Sequence, residues 1–202
     1  MRAIDDPVST FCRLVRARSA EHRQAMRGLW NLPGLMMSIL RQELDSMVRV
    51  IFLLSERDRK FRVALVQATL DGKRWRRKGG KGYVTDREMV DLANKLNGWT
   101  ESVYRFGCAF IHLSNMHDYR CRDPMASLGE SEREAILKHL RHYHGEPPGP
   151  LSIESVAPIL PMVFEKVSSN LEHYLVRLEA DGELDEVKAA RPSTAGRRRP
   201  RS

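Results

Sequence analysis

The sequence predicts an all-α protein, an antiparallel helical bundle of about six to seven helices. Apolar residues recur at helical spacing over long stretches of the chain, as expected for helices that bury one face. No segment alternates apolar and polar residues convincingly enough to predict a β-strand. The hydrophobic content of 42% in 202 residues is ordinary for a globular protein. We expect a single helical domain over residues 1–182 and a disordered basic tail over residues 183–202.

The first half of the chain predicts three helices. Residues 1–30 predict one broken helix, which ends at the NLPG turn. Residues 35–55 predict an amphipathic helix, since their apolar residues recur at helical spacing. Those residues are Met36, Leu40, Met47, Ile51 and Leu54. A third helix follows SERDR and ends near Asp71 and Gly72.

The second half predicts four more helices. Thr85 and Glu88 have the spacing of a capping box and open a helix with the sequence DREMVDLANKLNGW. The next helix is predicted from about Glu101 to Tyr119. Ser131 and Glu134 repeat the capping-box spacing before REAILKHLRHY. After the break at GEPPGP, a last long helix is predicted over residues 155–179.

The composition argues against a membrane protein, a secreted protein and a disulfide-bonded protein. No apolar run approaches the roughly 18 residues of a membrane helix, and the segment MRAIDDPVST lacks the apolar core of a secretory signal. We therefore expect a cytoplasmic protein without a membrane partner. Three cysteines at irregular spacing predict reduced thiols rather than disulfides. The net charge is +8, but the terminal segment RPSTAGRRRPRS supplies five arginines and no acid, so most of the basic excess lies in the predicted tail.

The stretch YRFGCAFIHLSNMHDY, residues 104–119, contains candidate catalytic residues. Residues seven apart return to nearly the same side of an α-helix, which predicts that Arg105 and His112 share one face. An imidazole can move a proton near neutral pH, and a guanidinium can neutralise a phosphate. The pair would therefore suit phosphodiester chemistry. A histidine on a largely apolar helix is, however, more often an ordinary core residue.

The spacing of Arg105, six residues and His112 resembles the R-x(4–6)-H motif of HEPN (higher eukaryotes and prokaryotes nucleotide-binding) domains. The segment SILRQELDSMVRVIFLLS also resembles a long helix of bacterial HEPN-like families. The resemblance implies an all-α bundle and a metal-independent RNase of toxin or phage-defence type, without a cofactor. It implies that His112 assists proton transfer and that Arg105 orients the phosphate. It also implies an RNA substrate, a homodimer, and an antitoxin or defence partner protein.

Glu43 is a candidate supporting residue. It lies within the apolar stripe of the helix predicted over residues 35–55, and a buried carboxylate needs a partner because burying an unpaired charge is costly. We expect it to pair with Arg105 across two packed helices. A position at the solvent edge of the stripe is about equally compatible with the sequence.

The segment KRWRRKGGKG is a candidate nucleic-acid-binding loop. Clustered cations with an aromatic residue suit contacts to phosphates and stacking on bases. A solvated surface loop is the alternative, and the glycine spacing is not that of a P-loop. The predicted binding residues are Lys73, Arg74, Trp75, Arg76, Arg77, Lys78 and Lys81.

Two further patterns leave alternatives open. Cys108, His112, His117 and Cys121 are all residue types that bind zinc, but their spacing fits no structural zinc motif known to us and could converge only if the helix breaks near Ser114; no metal is predicted. Residues 131–184 loosely resemble a winged helix-turn-helix. The sequence thus leaves three function classes: a HEPN-like RNase, a non-catalytic helical binding or assembly module, and a DNA-binding regulator.

Overall fold

A computed structural model describes residues 6–112, 114–145 and 147–184, and in this part of the chain the regular structure is helical. The all-α bundle predicted from the sequence is confirmed. The helices are α1 (Pro7–Gly28), α2 (Pro33–Ser55), α3 (Arg59–Leu70), α4 (Asp86–Asn97), α5 (Thr100–Ile111), α6 (Glu130–Tyr143), the four-residue α7 (Ile153–Val156) and α8 (Leu160–Glu179). Short 3₁₀ turns cover Asn115–Asp118, Pro124–Ser127 and Ala157–Ile159.

Helix α2 lies at the centre of the bundle. It packs against α1, α3, α4, α5 and α8, and more than half of its residues are buried. Because neighbours surround it, α2 is apolar over a much wider arc than one amphipathic face requires. The residues that it buries most completely include Leu44, Met47 and Ile51.

The chain begins α1 without the predicted break. The Asp6 carboxylate accepts a hydrogen bond from the backbone N–H of Ser9, and Pro7 occupies the first turn, where a missing N–H costs nothing. The helix then continues to Gly28, so the prediction of one broken helix over residues 1–30 is wrong for its described part.

The two predicted capping boxes have different outcomes. Thr85 caps α4, and its hydroxyl and backbone N–H exchange hydrogen bonds with Glu88 as predicted. The box predicted at Ser131 and Glu134 is wrong, because α6 already begins at Glu130. Its cap position is Gly129, which has no side chain to accept a bond.

Helix α8 closes the bundle and runs antiparallel to α1. Arg16 pairs with Glu172 and Glu179, and Arg23 pairs with Glu165. The adjacent face of α8 is buried in the core. The buried apolar positions of that face are Leu160, Phe164, Val167, Leu171, Leu175 and Leu178.

This packing does not match the winged-helix alternative for residues 131–184. A recognition helix needs a free basic face, whereas α8 is covered by α2 and carries acids that pair with α1. The described residues of this range also form no β-strand that could serve as a wing.

The described chain ends at Leu184, which is buried and lies two residues beyond the predicted domain boundary. Its backbone N–H donates to the Leu54 carbonyl at 3.4 Å. The rest of the predicted tail, residues 185–202, lies outside the described residues.

Within the described residues, no helix combines the length and apolar character needed to cross a bilayer.

Burial and the nearby Glu179 carboxylate raise the pKa of the Cys12 thiol to about 12, which keeps it protonated.

Candidate functional site

The helix that carries Arg105 ends before it reaches His112. Helix α5 stops at Ile111, and His112 has extended backbone angles of φ −97° and ψ 143°. The helix predicted to Tyr119 is therefore too long, and the shared helical face predicted for Arg105 and His112 is wrong. The physical cause is Ser114, whose hydroxyl donates to the Ala109 carbonyl at 2.7 Å and so satisfies an acceptor at the helix end.

Arg105 and His112 both lie on the surface. Each side chain is exposed, and neither forms an ion pair within the described part of the chain. The structure thus leaves both groups accessible, Arg105 in the middle of α5 and His112 directly after its end. Arg105 belongs to the helix, whereas His112 has extended backbone, so the two side chains do not share one helical face.

Glu43 is buried completely and faces α1 and α8, away from Arg105. Its Oε2 accepts a hydrogen bond from His22 Nδ1 at 2.7 Å, and its Oε1 accepts one from the Ser19 hydroxyl. The prediction that Glu43 needs a partner is confirmed, and the predicted partner is wrong. The rotation of α2 about its axis decides this, because it turns Glu43 towards α1.

A directed chain of hydrogen bonds connects Glu43 with the surface. Since the Ser19 proton is donated to Glu43, Ser19 Oγ accepts from the Ser168 hydroxyl at 3.1 Å. Ser168 Oγ in turn accepts from Arg23 Nη2 at 2.7 Å. We call Ser19, His22, Arg23, Glu43 and Ser168 the polar chain. Two donors from α1 satisfy the buried carboxylate of α2, and Ser168 of α8 extends the chain to Arg23.

Arg41 is a buried charged residue of α2 that faces α5. Its guanidinium carbon lies 3.5 Å from the centre of the Tyr104 ring, and its Nε donates to Cys108 Sγ at 3.4 Å. It also pairs with Asp45. Gly107 makes this approach possible, because a Cβ built there would lie 2.6 Å from Arg41 Cβ.

The zinc-capable residues of the α5 region do not come together. The chain does break after Ile111, but no group of three or more metal-capable side chains forms in the described residues. Cys108 contacts Arg41, Cys121 is exposed, and the His117 ring packs 6.0 Å from the Phe110 ring.

The predicted basic loop is an ordered hairpin, residues 73–84. An antiparallel bridge joins Arg76 to Tyr83, and the Val84 N–H donates to the Trp75 carbonyl at 2.9 Å. Three glycines form its tip with φ between 79° and 87°, a region that residues with a Cβ rarely adopt. Those glycines are Gly79, Gly80 and Gly82.

Trp75 anchors this basic hairpin and does not belong to its binding face. It is only 4% exposed, its indole N–H donates to Thr69 Oγ1 at 2.7 Å, and its ring packs on Phe52. The prediction that Trp75 stacks on nucleic-acid bases is therefore wrong. Side chains alternate along an extended chain, so turning Trp75 inward turns Arg74 and Arg76 outward.

Tyr83 takes the exposed aromatic position instead. The residue is 37% exposed, and the guanidinium carbons of Arg74 and Arg76 lie 4.2 and 5.6 Å from the centre of its ring. The sequence placed Tyr83 next to the cluster but gave it no role. Its pairing with Arg76 across the bridge is what brings it onto the basic face.

The cations of the hairpin fall into two groups. Lys73, Arg77 and Lys78 each have a carboxylate partner within 2.9 Å. Lys78, together with backbone N–H groups, holds the pKa of its partner Asp58 below the ordinary value. Arg74, Arg76 and Lys81 are exposed and form no ion pair within residues 6–112, 114–145 and 147–184. The second group is free to meet an anion.

An apolar cleft, which the sequence did not indicate, lies between α2, α5, α6 and α8. Its cavity has a volume of about 100 Å³. Buried side chains that include Leu40, Phe106, Leu140 and Val167 form its walls. More exposed polar side chains form its mouth. They are His139, Tyr143, His144 and Lys166.

No family model, curated protein or solved structure matches this chain.

Proposed function

We propose that this protein binds single-stranded RNA through the outward face of the basic hairpin. The observation that carries the proposal is the placement of Tyr83 beside Arg74 and Arg76, which have no carboxylate partner in the described chain. Guanidinium groups contact phosphates, and an exposed aromatic ring stacks on unpaired bases. The resemblance to HEPN domains supports RNA as the polyanion.

The anchoring of the hairpin supports the same proposal. Trp75 fixes the hairpin to α2 and α3, and Arg77 Nε donates to the Tyr83 carbonyl at 3.1 Å. A binding face held in one conformation loses less entropy when it binds than a flexible loop does. The hairpin also leads directly into α4, whose Arg87 pairs with Glu101 of α5 at 3.0 Å.

Replacing Arg74 and Arg76 together by alanine should weaken the binding of a fluorescent single-stranded RNA about tenfold or more. Loss of two phosphate contacts should also reduce the slope of log affinity against log salt by about 1.4. Tyr83→Leu should weaken binding with little change in that slope, because stacking releases no counterions. Fluorescence anisotropy over a series of salt concentrations measures both quantities.

The matched control is Lys73→Gln with Lys78→Gln, which removes the same charge from the same hairpin. Both lysines already pair with carboxylates, so the control should lose clearly less affinity and keep the wild-type salt slope. Equal losses in the two double variants would contradict a specific binding face. Equal affinity for anionic vesicles, or no RNA binding at low salt, would contradict the proposal itself.

A metal-independent RNase is the second candidate function, with Arg105 and His112 as its residues. The observation that favours it is that both side chains are accessible and free of ion pairs in the described chain. In this proposal His112 moves the proton of the attacking 2′-hydroxyl and Arg105 stabilises the charged phosphate. A homodimer, as in HEPN domains, would bring two copies of the pair to one RNA.

Arg105→Ala and His112→Ala should each reduce RNA cleavage by about 100-fold or more without abolishing RNA binding. The measurement is cleavage of total RNA after induced expression and by purified protein, with EDTA present. His173→Ala, which removes an exposed histidine of α8, is the control and should cleave like wild type. Equal cleavage by all variants, or none by wild type, would contradict this second candidate while leaving RNA binding to its own test.

A further inference from the structure

The apolar cleft has the shape of a small-molecule site. Its cavity of about 100 Å³ is smaller than the roughly 150 Å³ engineered apolar cavity that holds benzene, so it suits the apolar end of a small organic molecule whose polar end lies at the open mouth. The walls come from four helices, which include the central α2. Sites of this kind in helical bundles are lined by apolar side chains, with a few polar groups that orient the ligand.

The mouth of the cleft is complementary to one negative charge. Lys166 is the one charged side chain among the lining residues, and it forms no ion pair within the described chain. Burial and the Lys166 ammonium lower the pKa of the half-buried His144, so a positive potential acts at this position. The Tyr143 hydroxyl can also donate to an anion.

We propose that the cleft binds a small monocarboxylate with an apolar body. The carboxylate lies beside Lys166, and the body fills the space between Leu40, Phe106 and Leu140. This site is separate from the basic hairpin, so the inference does not depend on RNA binding. The single charge at the mouth favours a carboxylate over a multiply charged phosphate ester.

Octanoate is a suitable probe, and two related molecules separate the contributions to its binding. Octanol keeps the apolar body without the charge, and acetate keeps the charge without the body. Trp99 lines the cleft and is 9% exposed, so its fluorescence reports binding. A Trp30→Phe background removes the emission of Trp30, which is 76% exposed. Trp75 is buried outside the cleft and contributes a constant background. Octanoate should shift the Trp99 emission and bind about tenfold more tightly than octanol, and acetate should have no effect.

Two variants test the two halves of the site. Lys166→Gln should weaken octanoate about tenfold and leave octanol unchanged, whereas Lys138→Gln on the exposed face of α6 should change neither. Val103→Phe should fill the cleft and weaken both ligands. If Val103→Phe does not fold, as judged by thermal melting, the Lys166 and Lys138 variants still decide the question.

The proposal fails if octanoate does not bind wild type, or if octanol binds equally well. It also fails if Lys166→Gln and Lys138→Gln have the same effect. Concentration-dependent dimerisation that octanoate does not alter and Val103→Phe disrupts would assign the cleft to a second copy of the chain instead.

Discussion

Glu43→Ala should lower the free energy of unfolding by about 3–5 kcal/mol, the largest effect expected in this protein. The substitution leaves a cavity beside α1 and removes the acceptor for both His22 and Ser19. Ser19 and His22 are each only 8% exposed, so removing their acceptor leaves two largely buried polar groups without it. Typical domains are stable by about 5–15 kcal/mol, so the variant should lose much of its stability. Urea denaturation followed by circular dichroism measures the change.

The matched variant replaces Glu43 and its two direct partners together, and Ser168 keeps its hydrogen bond from Arg23. Ser19→Ala, His22→Leu and Glu43→Leu in one chain leave no unpaired carboxylate or imidazole, and apolar replacement of a complete buried network is often tolerated. This triple variant should therefore be more stable than Glu43→Ala, despite carrying more substitutions. A Glu43→Ala protein with the wild-type denaturation midpoint would show that the polar chain does not hold a buried carboxylate.

Gly107→Ala should lower the free energy of unfolding by about 2–3 kcal/mol. The new Cβ would lie 2.6 Å from Arg41 Cβ, an atom fixed to the backbone of α2, so α2 and α5 must move apart. That movement also weakens the stacking of Arg41 on Tyr104. Alanine is more favourable than glycine in a helix by about 1 kcal/mol. The expected net loss of stability means that the steric cost is larger than this gain.

Gly28→Ala is the control for helix propensity. Gly28 is the last residue of α1, and a Cβ there would meet no atom within 4 Å. This variant should have the stability of wild type or up to about 1 kcal/mol more. Thermal and urea denaturation of Gly107→Ala and Gly28→Ala compares their stabilities. Equal stability of the two variants would contradict the close crossing of α2 and α5.

Local signals in the sequence were sufficient for most helices but not for the end of α5. The positions of α2, α3 and α4 follow from apolar spacing, Gly72 and the Thr85 cap. The segment IHLSNMHDY contains neither glycine nor proline, and its apolar spacing continues past the true end of the helix. The break arises because Ser114 bonds back to Ala109, a choice between two local hydrogen-bond patterns that composition does not reveal.

The candidate sites depend on contacts between distant segments, which limits what the sequence could predict. Trp75 turns inward because Phe52 and Thr69 receive it, and this in turn selects Arg74 and Tyr83 for the surface. The need of Glu43 for a partner could be inferred from its place in an apolar stripe. The identity of that partner depends on the relative rotation of α1 and α2, and the cleft depends on four helices at once.

The polar chain has a consequence for the docking of α1. This helix buries only three apolar side chains, whereas Ser19 and His22 are held by directional bonds. A slide of α1 by one turn would leave the Glu43 carboxylate in the middle of the bundle without its donors. Glu43 therefore fixes the register in which α1 docks against α2.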